Sequence, residues 1–147
     1  MKLLIALLAS SLLSMVQAQE VVNDRFHFSH LRSFYSCHFA ENRADQILQA
    51  LGAENIVSRC QGGLEMRQRF VSVLVDFEVP NHRGPWRNVI LNERTFDRFS
   101  SENSCEFTYR MIQQFIENFA VRNLTSFNGC WDGRGRFQFE FQLRQEE

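Results

Sequence analysis

The chain has 147 residues, 44% of them hydrophobic, and its 16 basic and 17 acidic residues give a net charge of −1 at pH 7. This length corresponds to one domain. The near-neutral charge argues against non-specific nucleic-acid binding, which needs a basic surface. After Lys2 every basic residue is an arginine; arginine favours planar recognition of carboxylate or phosphate, but we attribute the bias to genome composition.

The first 18 residues have the pattern of a secretory signal peptide. Lys2 precedes an apolar run over residues 3–13, and Val16-Gln17-Ala18 provides a cleavage site after Ala18. The run is too short to span a membrane. Cleavage would leave 147 − 18 = 129 residues, a single domain over residues 19–147. We therefore expect a secreted or bacterial periplasmic protein without a membrane span.

The first half of this domain is predicted to contain one helix between strands. Residues 19–24 are expected to form a mobile tail, and residues 25–35 one long strand or two short ones. A helix over residues 39–51 follows, and then a strand over residues 54–60. Residues 69–79 alternate apolar and polar side chains, which predicts a strand with one buried face.

The second half is predicted to have a similar order. Residues 86–91 are expected to form a strand that makes a hairpin with the strand before it. A helix is predicted over residues 105–119 and a strand over residues 121–127. Residues 136–144 show the clearest alternation in the chain, with one face made of Phe137, Phe139, Phe141 and Leu143.

Both predicted helices have one apolar face. Their apolar residues follow the spacing i, i+3, i+4, i+7, which is typical of an amphipathic helix; they are Ala44, Ile47, Leu48 and Leu51 in the first and Ile112, Phe115, Ile116 and Phe119 in the second. Gly52 stands where a helix end favours a left-handed residue. Ala120 holds the corresponding place after the second helix, so that helix must end differently.

The two halves also match in sequence at an offset of 68 residues, which suggests an internal repeat over about residues 32–79 and 87–144. The identical pairs are Ser36/Ser104, Cys37/Cys105, Phe39/Phe107, Gln46/Gln114, Asn55/Asn123 and Ser58/Ser126. Coincidence between two ordinary units of the same type is the alternative explanation.

The four cysteines are expected to form two disulfides, because export favours an oxidising compartment. From Cys37 the helix descends about 21 Å, and the strand that ends at Cys60 climbs back about 20 Å. This return brings Cys60 to Cys37, and the same argument pairs Cys105 with Cys130. Crosswise pairing between the halves is the alternative.

These elements predict an α+β fold. We expect a two-layer sandwich in which two helices cover one face of a mainly antiparallel sheet, built from pseudo-duplicated βαββ units. A ferredoxin-like arrangement is the nearest simple relative. A fold of this kind does not define an activity.

Catalytic and metal sites have little support in the sequence. His27 and His30 would point to opposite faces of a strand, which argues against metal ligation. The cysteine spacings differ from the Cys-x-x-Cys of thiol-redox centres. A Gly-x-Ser-x-Gly nucleophile motif is absent. We expect no cofactor or metal and do not expect an enzyme.

One end of the predicted domain is a candidate binding site. Both helix N-termini and two glycine turns would lie there, and helix N-termini favour anions. Arginines add planar donors and a tryptophan adds an aromatic face; the candidate ligand-binding residues are Gly62, Gly63, Trp131, Arg134 and Arg136. The alternative is that these segments are ordinary turns.

The sequence thus favours an exported, non-enzymatic binding or protein-interaction module. Its partner would be another periplasmic protein or a small anionic ligand. A homodimer through an edge strand, either residues 25–35 or the terminal strand, is a further expectation. The alternative function is a small periplasmic enzyme or thiol-redox factor.

Overall fold

The computed structural model describes residues 19–29, 35–81, 83–96, 102–132 and 135–144. They form two helices, α1 (Cys37–Ala50) and α2 (Glu102–Phe115), and six strands: β1 (Glu20–Ser29), β2 (Glu54–Gly62), β3 (Phe70–Val79), β4 (Trp86–Asn92), β5 (Val121–Gly129) and β6 (Arg136–Arg144). The predicted signal peptide lies outside the described residues. Within them, no helix is both long enough and apolar enough to cross a membrane.

The strands form two three-stranded antiparallel sheets. The first sheet has the order β1-β3-β2, and the second has the order β4-β6-β5. In each sheet the outer strands are antiparallel to the central one, so they run parallel to each other, a split β-α-β arrangement. The α+β class is therefore confirmed. The prediction of a single sheet in a two-layer sandwich was wrong, because the strands form two sheets.

The predicted hairpin between β3 and β4 explains this error. β4 pairs with β6, from Trp86↔Arg144 to Asn92↔Gln138, and β3 pairs on both sides within the first sheet. The short connection between them thus carries the chain from one sheet to the other. A short loop between two strands permits a hairpin but does not require one.

The expected mobile tail was also wrong. β1 begins at Glu20, and all ten of its residues pair with β3, from Glu20↔Val79 to Ser29↔Phe70. Residues 20–25 lack a continuous apolar face, so their sequence pattern does not predict a strand. They are extended because they pair with β3 through backbone hydrogen bonds.

The two halves share the order strand-helix-strand-strand and the same strand order within the sheet. Both also contain a β-bulge at equivalent positions. The register shifts between Glu54 and Val57 in β2 and between Arg122 and Thr125 in β5. Asn55 and Asn123 lie in these bulges with φ of 49° and 55°. Duplication, and kinship with a ferredoxin-like fold, stay hypotheses.

At the start of α1, the side chain of Ser36 accepts a hydrogen bond of 3.0 Å from the Phe39 N–H.

The two helices end differently, as the residues that follow them predict. After α1, Gly52 takes the left-handed conformation with φ 84°. α2 instead continues into a 3-10 turn, Ile116–Asn118, and the chain becomes extended at Phe119, because Ala120 does not favour a positive φ.

The inner faces of both sheets and the apolar faces of both helices form one hydrophobic core. The predicted face of β6 is confirmed: Phe137, Phe139, Phe141 and Leu143 are at most 3% exposed. Phe107 of α2 lies among rings of the other half, with its centroid 4.7 Å from that of Tyr35 and 5.2 Å from those of Phe26 and Phe28. The two halves therefore share their core instead of folding as separate units.

Both predicted disulfides are present, Cys37–Cys60 and Cys105–Cys130. Each joins the first turn of a helix to the strand that follows it or to the residue just after that strand. Crosswise pairing is excluded, since the structure describes all four cysteines and leaves none free. Two disulfides in a small domain are compatible with an extracellular or otherwise oxidising location.

Candidate functional site

A polar cleft with a volume of about 650 Å³ lies between β1, at the edge of the first sheet, and α2. We call it the Trp131 cleft, after the tryptophan at its rim. Its polar and aromatic lining comes from β1, α2, the end of β5 and the turn after β5; it includes His27, Glu106, Tyr109, Arg110, Asn128 and Trp131.

An ion pair on α2 lines one wall of the cleft. Nε of Arg110 donates to Oε1 of Glu106 at 2.6 Å, across one turn of the helix. Nδ2 of Asn128 donates to the other oxygen, Oε2, at 3.2 Å. Glu106 is only 8% exposed, so these bonds are needed to hold its charge. The Arg110 side chain is 56% exposed and presents its terminal donors to the cleft.

The hydroxyl of Tyr35 stays protonated near this carboxylate. Burial raises the pKa of Tyr35, and the negative charge of Glu106 raises it further. The Tyr35 ring stacks on Phe107, one residue after Glu106. The wall of the cleft therefore rests on packed aromatic rings and has little freedom to move.

Trp131 is an exposed aromatic side chain on a turn that a disulfide anchors. It is 70% exposed, although it follows Cys130, whose bridge to Cys105 ties this turn to α2. On the opposite side of the cleft, the His27 ring stacks on Phe70 with centroids 5.5 Å apart. An exposed tryptophan is typical of a binding surface, because its large ring offers contact area at a low cost in side-chain entropy.

The residues of the predicted binding site lie on several elements, and their joint role in binding stays a prediction. Trp131 lines the cleft, whereas Gly62 lies against Phe70 and Gly63 against the Tyr35 carbonyl. Arg136 is exposed at the start of β6, opposite Gly129, and Arg134 lies outside the described residues.

The start of α1, where we expected an external anion, already holds a carboxylate of the chain. Both oxygens of Glu65 accept from the Cys37 N–H at 3.1 Å. Hydrogen bonds from its own backbone N–H and from Cys37 hold the pKa of Glu65 below its usual range, and the nearby His38 acts in the same direction. The preference of a helix N-terminus for negative charge is therefore met internally.

The two histidines that the structure describes lie on different elements. His27 lies on β1, and His38 lies on α1 within 3.1 Å of the Asn42 amide; His30 and His82 are outside the described residues. In the part of the chain that the structure describes, no three histidine, cysteine or acidic side chains are close enough to hold a metal ion.

Sequence reasoning missed His27, Glu106 and Arg110 as members of one site. The i, i+4 spacing of Glu106 and Arg110 was a usable sign of the ion pair. That Glu106 and Arg110 face β1 could not be predicted from the sequence, because it depends on how the second half packs on the first.

We compared the chain with family models, with curated proteins and with solved structures, and none of the three comparisons gives a significant match.

Proposed function

We propose that the protein is an exported binding module whose Trp131 cleft takes a neutral, hydroxyl-rich ligand such as a saccharide. The observation that carries this proposal is the exposed Trp131 ring at the rim of a polar cleft, on a turn that a disulfide ties to α2. Such a ring can stack on the apolar C–H face of a sugar, while polar groups below it orient the hydroxyls.

The charges of the cleft support a neutral ligand. Arg110 contributes one positive charge, and Glu106 and Glu117 contribute two negative ones, so the cleft carries a net charge of −1 with His27 neutral. An anion would be repelled there. Sugar hydroxyls both donate and accept hydrogen bonds, which suits a lining of amides, a carboxylate and a guanidinium.

Export is part of the proposal. It is supported by the apolar N-terminal run and cleavage pattern before Ala18 and by disulfides that need oxidising conditions. The alternative, a thiol-redox factor or small enzyme, has less support. A redox thiol must be accessible, which disfavours the buried Cys105–Cys130 bridge. The half-buried Cys37–Cys60 bridge does not have the Cys-x-x-Cys spacing of thiol-redox centres.

The two tryptophans of the chain provide a direct test. In ¹⁵N-labelled protein each indole N–H gives one NMR signal, and the variants Trp131→Phe and Trp86→Phe assign them. Titration with cellobiose, maltose and N,N′-diacetylchitobiose should shift the Trp131 signal saturably with at least one sugar. Trp131→Ala should weaken that binding about 5- to 150-fold, because stacking on an aromatic side chain is worth about 1–3 kcal/mol.

The Trp86 signal is the internal control, since Trp86 lies on β4, in the second sheet, and does not line the cleft. Saccharides that leave the Trp131 signal unmoved, or that shift Trp86 instead, would contradict the proposed ligand class.

A further inference from the structure

The outward face of the second sheet carries a second tryptophan between two arginines. The guanidinium carbon of Arg122 lies 4.3 Å from the centroid of the Trp86 ring, and that of Arg144 lies 4.9 Å from it. We call these three residues the Trp86 cluster. It is separate from the Trp131 cleft and does not depend on the function proposed for it.

The register of the sheet places these side chains together. Trp86 of β4 pairs with Arg144 of β6, and Arg122 of β5 pairs with Gln142 of β6. Residues two apart on a strand point to the same side, so all three project from one face across three strands. This face is the one opposite the buried Phe141 and Leu143.

Hydrogen bonds fix one of the arginines in place. Nε of Arg122 donates to Oε1 of Gln142 at 2.7 Å, and Nε2 of Gln142 donates to Oδ1 of Asn88 at 2.8 Å. This chain of amides crosses the sheet from β5 to β4. Because Arg122 uses Nε for this contact, its terminal nitrogens remain available, and stacking on the indole orients both guanidinium groups.

The charges of the two arginines can be compared with the acidic side chains that the structure describes. Neither Arg122 nor Arg144 forms an ion pair with any residue that the structure describes. Glu140, on the same face of β6, is four residues from Arg144, or about 13 Å along the strand, and two residues from Gln142, which pairs with Arg122. Glu20 lines a pocket together with Arg144 but forms no ion pair with it. On the first sheet, in contrast, Arg59 is paired with Asp76 at 2.9 Å.

We propose that the Trp86 cluster is a binding site for a doubly charged phosphate group, as in a phosphate monoester. Two guanidinium groups held near one ring can donate paired N–H bonds to phosphate oxygens, and their charge of +2 matches a phosphate dianion. This places anion recognition on the open sheet face and not at the start of α1, where Glu65 already lies.

The indole NMR signals also test this site. Inorganic phosphate is titrated at pH 7.5 into ¹⁵N-labelled protein, with ionic strength held constant by sodium chloride. The Trp86 signal should shift saturably, and the Trp131 signal should stay in place. Arg122→Gln and Arg144→Gln should each weaken binding at least tenfold, and the double variant should abolish it.

Arg59→Gln is the matched control, since it removes an arginine from the outer face of the other sheet and should leave phosphate binding unchanged. An unshifted Trp131 signal in each variant shows that the fold is intact. Three results would overturn the proposal. The Trp86 signal could shift linearly with phosphate concentration without saturating, it could shift by the same amount when sodium chloride is added in place of phosphate, or it could still shift in the double variant. Saturable binding of succinate without binding of phosphate would also overturn the proposal.

Discussion

At the scale of single residues, the asparagines of the two bulges show why the halves match in sequence. Asn55 and Asn123 are identical at the offset of 68 and share a positive φ, 49° and 55°, a conformation that asparagine tolerates better than most residues. Each also donates a side-chain hydrogen bond to the neighbouring strand, Asn55 to Glu78 at 2.8 Å and Asn123 to Gln142 at 3.2 Å. The two halves therefore share an asparagine at this position because the backbone of each bulge needs a residue that tolerates a positive φ.

This argument predicts the effect of two substitutions at Asn123. Asn123→Ala and Asn123→Gly both lose the side-chain hydrogen bond, but only glycine adopts a positive φ without steric cost. Asn123→Ala should therefore be less stable than Asn123→Gly by about 1 kcal/mol, measured by urea denaturation. An alanine variant as stable as the glycine variant would show that the bulge tolerates another conformation.

At the scale of secondary-structure elements, α2 covers the free edge of β1. Nε2 of Gln114 donates to the Arg25 carbonyl at 2.7 Å and to Oδ1 of Asp24 at 2.9 Å, and Nδ2 of Asn118 donates to Oδ2 of Asp24 at 2.9 Å. Capping of this kind protects an edge strand from pairing with other chains.

These contacts bear on the expected homodimer. β6, the terminal strand, is the central strand of the second sheet and has no free edge, so pairing through it was a wrong expectation. The edge of β1 is partly covered near Arg25 by Gln114. Dimerisation through residues 25–35, the other expected segment, stays a hypothesis.

The junction between α2 and β1 should contribute measurably to stability. Asp24→Ala removes two hydrogen bonds to a carboxylate, although Gln114 and Asn118 each keep a backbone carbonyl as a second acceptor. Because hydrogen bonds to a charged group are the stronger kind, we expect a loss of about 1–3 kcal/mol in the free energy of unfolding. Arg59→Ala removes an exposed ion pair and should cost less than about 1 kcal/mol. Chemical denaturation of both variants checks the contrast; equal losses would contradict the structural role given to Asp24.

At the scale of the whole molecule, the two disulfides differ in accessibility although they close similar loops. Their cysteines are separated by 23 and 25 residues, so loop closure should stabilise the fold by roughly 3 kcal/mol for each bridge. Cys105 and Cys130 are buried, whereas Cys37 and Cys60 are half-buried.

Limited reduction should therefore open the more accessible bridge, Cys37–Cys60, first. A thiolate must reach the sulfur that it attacks, so a low concentration of dithiothreitol should reduce Cys37–Cys60 before Cys105–Cys130. Alkylation of the released thiols and peptide mapping would show this order. Earlier labelling of Cys105 and Cys130 would mean that the second half opens more readily than its packing indicates.

The sequence by itself determined the elements and their bridges. Ala44, Ile47 and Leu48 show the helical period, and Phe137, Phe139 and Phe141 show the strand period; these patterns predict which side chains are buried because side-chain direction follows from backbone geometry alone. The pairing of Cys37 with Cys60 was predictable for a related reason, since a helix and a strand of known lengths return the chain to its starting level.

Only the tertiary structure decided how these elements combine. An alternating pattern identifies the apolar face of a strand but not the strand that supplies its hydrogen bonds, so the pairing of β4 with β6 could not be predicted locally. The same holds for Glu65 at the start of α1, for His27 opposite Arg110, and for Trp86 beside Arg122. Each of these arrangements joins residues distant in sequence, and their positions are set by how the shared core packs the two halves together.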